Sequence, residues 1–365
     1  MRKDYIKRLT ELMRENKLDA MLISPSEELL FFTGLDLMLC ERMQGLFVTA
    51  GGDCFYVCND IYAGEVDEGV QGQLPIFSWH DNEGMFKAVD AAFAKYHLNG
   101  KTIAVNTAGQ VCNILDIAER TGARFVNGRP LLEEVRIRKS HEELDNMRKS
   151  AAVADSVFEP VCRLIRPGVT EAQVRDLMTE IMTQAGGSNL DVIVASGPNS
   201  SYPHYSRYDR TIAEGDCIVL DWGCAINGLM SDMSRTVFVG SITREMAEIY
   251  ELVNRSQLTA QNAVKEGAWI PDLDRIAREV LDEKHLAHTL INRLGHGIGY
   301  SVHEGPYISQ LNKRKLERGM CFSIEPGVYL PGRFGMRVEN IMCVNEEGQP
   351  EVLNKSDRSL RVLPG

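Results

Sequence analysis

Apolar side chains at Leu144, Met147, Ala151, Ala154, Phe158, Val161 and Ile165 recur three and four residues apart, which predicts a long helix with one face on a core. Arg166-Pro167-Gly168 ends that helix. Thr170 with Gln173 then forms a capping box for a second helix that buries Val174, Leu177, Met178 and Ile181. The same phrase returns later in the chain. Met246, Ile249, Tyr250 and Val253 mark another long helix, and Lys265-Glu266-Gly267 stops it. Leu273, Ile276 and Val280 follow, each 99 residues beyond Val174, Leu177 and Ile181. An internal duplication of helix, turn, helix and strands is the simple reading, with a site between the halves.

The first third of the chain is patterned differently. Ile6, Leu9 and Met13 share one face of a helix over 4–16, a strand follows at 20–23, and a short helix is expected over 27–32. Strands at 46–49 and 54–58 flank Ala50-Gly51-Gly52-Asp53, a hairpin pattern. Helices over 85–96 and 112–120 enclose a strand at 102–106. Strands and helices so mixed make a small α/β domain. It contains no nucleotide-binding glycine loop and no catalytic cluster, so its expected work is to wall a substrate site or to mediate oligomer contacts. The polar stretch from Glu133 to Ser140 marks the boundary, which gives domains at 1–132 and 133–365.

Composition narrows the class. A chain of 365 residues exceeds one comfortable core, in keeping with two domains. A formal net charge of −11 argues against nucleic acid or an anionic membrane as partner. The amino terminus, MRKDYIKRLTELMREN, is charged and amphipathic rather than of signal-peptide type, and no apolar run is long enough to span a bilayer. Nine cysteines without a C-x-x-C pair fit reduced thiols, and cytoplasm is the expected compartment.

The candidate chemistry begins in CIVLDWGCAINGLMSDMSRT, Cys217 to Thr236. Asn227-Gly228 is a two-residue hairpin signal between two strands. With that turn, Asp221 lies opposite Ser234 and Asp232 opposite Gly223. The two carboxylates become diagonal neighbours on one face, about 7–8 Å apart at the backbone. Acids held together on rigid strands repel unless a cation sits between them, although two solvated acids on a hairpin would read the same way. Further on, His296 and His303 stand seven residues apart among glycines, and Glu325 and Glu339 each sit in an apolar strand. Acids in such strands are costly unless paired or metal-bound.

The segments SGPNSSYPHY, LDWGCAINGLMSDMSRT, GHGIGYSVHEGPYI, IEPGVYLPG and MRVEN together resemble the pita-bread metallopeptidases, the family of Xaa-Pro aminopeptidases, prolidases and methionine aminopeptidases. The resemblance covers the whole chain. It implies an α/β (α+β) protein, with a small creatinase-like amino-terminal domain followed by a pita-bread domain of internal pseudo-twofold symmetry. It also implies five metal ligands: Asp221, Asp232, His296, Glu325 and Glu339. Such a set suits two divalent cations, Mn²⁺ first and Co²⁺ or Zn²⁺ as substitutes. Asp232 and Glu339 would bridge the pair, Asp221 would chelate one ion, and His296 with Glu325 would complete the other. By the same resemblance Glu325 is the general base, His204 and His303 touch the substrate carbonyls, and Arg337 holds a ligating carboxylate in place.

Three positions depart from the family pattern. Asn340 replaces an aspartate after the last ligand, and Asn292 stands four residues before His296, where many members carry a histidine. Tyr307 occupies a substrate-binding position where some prolidases carry an arginine for the dipeptide carboxylate, which weakens a strict dipeptidase expectation and turns it towards longer peptides. The implied activity is cleavage of the amino-terminal Xaa-Pro bond of proline-containing peptides, by a homodimer in which one subunit's small domain helps close the other's site. The alternative is a small-molecule hydrolase or lyase on the same fold, of ectoine-hydrolase type. A non-catalytic relative would be expected to lose ligands, and none is lost.

Overall fold

A computed structural model describes residues 1–365, and the chain divides into two compact units, Met1–Arg136 and Ile137–Gly365. In the first unit a six-stranded sheet runs in the order Ile76–Trp79, Cys54–Asn59, Gly45–Thr49, Ala20–Ile23, Thr102–Val105, Arg124–Asn127. The central hairpin strands pair antiparallel and the outer pairs are parallel. Phe47, Phe55, Val89 and Phe93 are fully buried in the core on one face of that sheet.

Most elements expected in this unit are present, with ends shifted by a residue or so. Four were not anticipated: the helices Asp60–Gly69 and Arg129–Arg136 and the strands Ile76–Trp79 and Arg124–Asn127. For two of them the pattern explains the omission. The helix Asp60–Gly69 buries only Val66, and the edge strand Arg124–Asn127 has no fully buried residue. Neither carries a one-sided apolar stripe. The polar stretch after Glu133 is also more ordered than a connector. It continues the helix Arg129–Arg136 and then enters the second unit, where the Lys139 ammonium is buried against Glu304 at 2.6 Å.

The second unit repeats one arrangement twice. Helices His141–Leu164 and Glu171–Gln184 cover a sheet ordered Arg361–Leu363, Met233–Val239, Cys217–Ile226, Ser188–Ser196. Helices Arg244–Asn262 and Ile270–Asp282 are followed by a sheet ordered Glu304–Ile308, Gly295–Gly297, Cys321–Ile324, Asn340–Val344, Pro350–Val352. The cap predicted at Thr170 is formed in both directions with Gln173, and Ser140 makes an equivalent box with Glu143. Burial follows the 99-residue repeat. Val174 and Leu273 are buried, while Leu177 and Ile181 are half-buried, as are Ile276 and Val280. Asp221 and His296 lie on strands of the two sheets, while Asp232, Glu325 and Glu339 stand one or two residues beyond strand ends, and Arg337 closes a short hairpin, Gly327–Leu330 with Phe334–Arg337.

Candidate active site

The expected hairpin forms. Asn227 and Gly228 both have positive φ, 50° and 79°, the conformation of a type I′ turn. The flanking strands pair with Asp221 opposite Ser234, as the turn position requires. From the other half, His296 is carried by the three-residue strand Gly295–Gly297, squeezed between two neighbours. A Cβ at Gly295 would stand 2.0 Å from the Ser323 carbonyl oxygen, so only glycine lets this strand seat His296 at that depth. The Ser323 hydroxyl accepts from the His296 backbone N–H at 3.0 Å and donates to Glu325 Oε1 at 3.1 Å, tying two candidate ligands together.

One cavity of about 280 Å³ is lined by Asp221, Asp232, His296, Glu325 and Glu339, with His204, His303 and Arg337. Ligand atoms of Asp232, His296 and Glu339 lie within 4.8 Å of one another, all three residues buried. His296 Nε2 lies 3.3 Å from Glu325 Oε1 and 3.7 Å from Asp232 Oδ2. Arg337 is buried behind the cluster, where its guanidinium pairs with Asp221 and donates to the Ser234 hydroxyl at 2.8 Å and to Tyr329 Oη at 2.7 Å. Ser234 in turn donates to Glu339 Oε2 at 2.6 Å. Arg337 thus orients two carboxylates, one directly and one through a hydroxyl. His303 packs edge-on to His296 with ring centroids 4.2 Å apart, and His204 lies nearly parallel to His303 at 6.5 Å.

The electrostatics describe a site built for positive charge. Burial, and then the charges of Glu339, Asp221 and Glu325, raise the Asp232 carboxyl well above its ordinary value. Glu339 is raised in the same way, first by burial and then by Glu325 and Asp221, against the pull of Arg337 and Ser234. Burial also pushes Glu325 up to about 7, with Arg337 pulling back and Asp221 adding to the rise. His296 moves the opposite way, down to about 3, because burial and the charges of His303 and Arg293 disfavour imidazolium. A neutral imidazole is the form that ligates a metal. Glu339 Oε1 is buried without any hydrogen-bond partner, a costly state that a bound cation would relieve. Four carboxylates with one guanidinium, a neutral histidine and an orphaned oxygen fit divalent cations.

Tyr307 and Asn292 do not line the cavity. Tyr307 is half-buried with the Arg293 guanidinium 4.3 Å above its ring. Asn340 points away towards Arg235, whose Nη2 donates to its side-chain oxygen at 2.9 Å, so its difference from aspartate leaves the cluster untouched. Asp191, in contrast, does line the cavity and was not foreseen. It stands in LDVIVAS, where flanking apolar residues read as an ordinary strand. Asp191 shares with Glu325 and Glu339 the pattern of an acid inside an apolar run.

Residues 145–346 match the model of metallopeptidase family M24, and residues 6–138 match the creatinase/prolidase amino-terminal domain. The chain belongs to metallopeptidase family M24, with an α/β amino-terminal domain of the creatinase/prolidase type ahead of its catalytic domain. Among its relatives, the probable dipeptidase PepE of Mycobacterium tuberculosis is 34% identical over 353 residues, covering 95% of this chain and 92% of the relative. The Xaa-Pro dipeptidase of Pyrococcus furiosus is 29% identical, covering 98% of this chain and 99% of its own. The crystal structure of dipeptidase PepE from Mycobacterium ulcerans superposes over the whole of both chains with a TM-score of 0.93 at 31% identity. A prolidase from Thermococcus sibiricus superposes with a TM-score of 0.92 at 29% identity, over all of this chain and 99% of that one.

Proposed function

We propose that this metallopeptidase removes the amino-terminal residue from Xaa-Pro dipeptides, using two divalent cations held by Asp221, Asp232, His296, Glu325 and Glu339. The observation that carries the reading is the cavity in which all five side chains meet. The names of the relatives support a dipeptide over a longer peptide or a non-peptide substrate. Cations held there would polarise the scissile carbonyl and acidify the attacking water. Glu325, which lines that cavity, would take the proton of the attacking water and deliver it to the departing proline nitrogen. His303, whose protonation is disfavoured first by burial and then by the charges of Arg293 and His204, donates a ring N–H to a substrate carbonyl oxygen, and His204 does the same beside it. Arg293 offers a cation next to Tyr307 for the dipeptide carboxylate, in place of the arginine missing there. A tertiary Xaa-Pro amide lacks an N–H, so a site that recognises the bond from its carbonyl side suits it.

Mn²⁺ is the proposed ion, because four carboxylates and one imidazole make a hard donor set. A homodimer in the cytoplasm completes the reading. All nine cysteines are free thiols, which supports a reducing compartment, and no helix is long and apolar enough to cross a membrane. The test is turnover after Mn²⁺ reconstitution of Ala-Pro and Gly-Pro against Ala-Ala and Xaa-Pro-Pro peptides. Preference for the Xaa-Pro dipeptides is expected. Loaded protein that turns over none of the proline peptides would overturn the proposal. Asp232→Ala should lose the shared ligand and reduce turnover to background, with metal content falling in the same preparation.

A further inference from the structure

Asp191, Asp221 and Asp232 line the same cavity, and the Xaa-Pro reading uses only the last two as ligands. Asp191 on Ser188–Ser196 is opposite Gly223 on the central strand Cys217–Ile226. On the other side Met233 is opposite Trp222, so the next step of that register sets Asp232 opposite Gly223 as well. Asp191 and Asp232 therefore flank Gly223, with Asp221 two residues along the same strand, and all three line the cavity. The row can close up because Gly223 has no side chain: a Cβ there would stand 1.9 Å from the Ser231 carbonyl oxygen.

The three carboxylates end in different surroundings. Asp221 has the Arg337 guanidinium, and Asp232 belongs to the buried group with His296 and Glu339. Asp191 stays outside that group, exposed to the cavity, and no arginine, lysine or histidine forms an ion pair with it. Its charge is opposed by partial burial and by Asp221, while His204 and, at longer range, Arg337 favour it. A single outlying carboxylate offers too few donors to hold a further metal ion. It is well suited to an ammonium group, which needs one strong acceptor and remains partly hydrated. The neighbourhood of His204 sets the spacing. An α-amino group and the carbonyl of the same residue are joined through one carbon, so a carboxylate beside a carbonyl-binding histidine can hold the amine while the histidine meets the oxygen.

We propose that Asp191 receives the protonated α-amino group of the substrate's first residue and so confines cleavage to the first peptide bond. This rests on the Xaa-Pro reading of the same cavity. The experiment compares Ala-Pro with propionyl-proline, which has the same skeleton without the amine, on Mn²⁺-loaded wild type and Asp191→Asn. The variant is expected to raise KM for Ala-Pro about 10–100-fold, the range of a charge-assisted hydrogen bond. Its inhibition constant for propionyl-proline should match that of the wild type. Asp191→Glu, which keeps the charge, should retain most of the discrimination, and it serves as the readout should Asp191→Asn fail to fold or to load metal. An Asp191→Asn enzyme with normal metal content and an unchanged ratio between the two compounds overturns the inference. So does an Asp191→Glu enzyme that discriminates no better than a fully neutralised site. If the wild type itself does not cleave Ala-Pro, the Xaa-Pro reading fails, and this inference with it.

Discussion

At the scale of single residues, Arg337 decides how the carboxylates stand. It is fully buried, and burial works against its charge, yet Asp221, Tyr329, Glu325 and Glu339 together outweigh that cost and hold it protonated. Removing the guanidinium leaves Asp221 without its partner and Ser234 without the donor that orients it towards Glu339. Arg337→Met should therefore weaken metal binding by about 10–100-fold, the usual effect of losing a group that orients a ligand. It should also cost about 3–5 kcal/mol of stability in the metal-free protein, as for a broken buried pair. Metal titration and denaturant unfolding of the chelated protein read the two effects separately. A variant with wild-type metal affinity would show that Asp221 needs no orienting partner.

At the scale of elements, the site depends on strands that approach more closely than side chains allow. The hairpin around Asn227-Gly228 brings the backbone of Ser231 against Gly223, and this contact brings Asp232 alongside the strand that carries Asp221. Gly223→Ala inserts a methyl group where a carbonyl oxygen stands 1.9 Å away, and both partners are backbone, so a strand must move. The expected cost is about 1–3 kcal/mol or more, as for overpacking a rigid interior. Turnover should fall much further than stability, because Asp232 shifts although no ligand has been changed. Comparing kcat with the midpoint of thermal unfolding tests this. Loss of activity in simple proportion to loss of fold would refute the positional reading.

At the scale of the whole molecule, a cation held by the proposed ligands would compete with protons for the same cluster. Without metal, Asp232, Glu325 and Glu339 have carboxyls raised above their unfolded values of about 3.9–4.3, with Glu325 at about 7. These three carboxyls make the folded state bind more protons than the unfolded chain and lower its stability as pH rises; His296, depressed to about 3, works the other way up to about 6.5 but is outnumbered three to one. For Glu325 the window runs from about 4 to about 7; for the other two it begins at the same place and extends to their own raised values. Chelated protein should accordingly lose thermal stability on going from pH 5 to pH 8, and added Mn²⁺ should restore it most at the upper end. Flat or rising stability of the chelated protein over that range would contradict the assignment of these three groups to one unrelieved cluster.

Much of this was legible beforehand, and for identifiable reasons. Residues such as Leu144 to Ile165 declare a helix because burial of one face imposes a period of three and four. Asn227-Gly228 declares a turn because few residues accept positive φ at both positions. The acids at 221, 232, 325 and 339 and the glycine-flanked His296 were visible as donor types in local context, and the family resemblance of their segments grouped them as expected ligands. The sequence by itself therefore determined the strongly patterned elements, the duplication and the donor types, but not weakly patterned elements such as Asp60–Gly69 and Arg124–Asn127. Only the tertiary structure decided which donors meet. It leaves Glu339 Oε1 buried without a hydrogen-bond partner, keeps Tyr307 and Asn292 off the cavity, and brings Asp191 into it. These outcomes depend on strand register and on packing between residues tens to more than a hundred positions apart. No local pattern encodes such pairings, because each strand is satisfied equally well whichever neighbour completes its ladder.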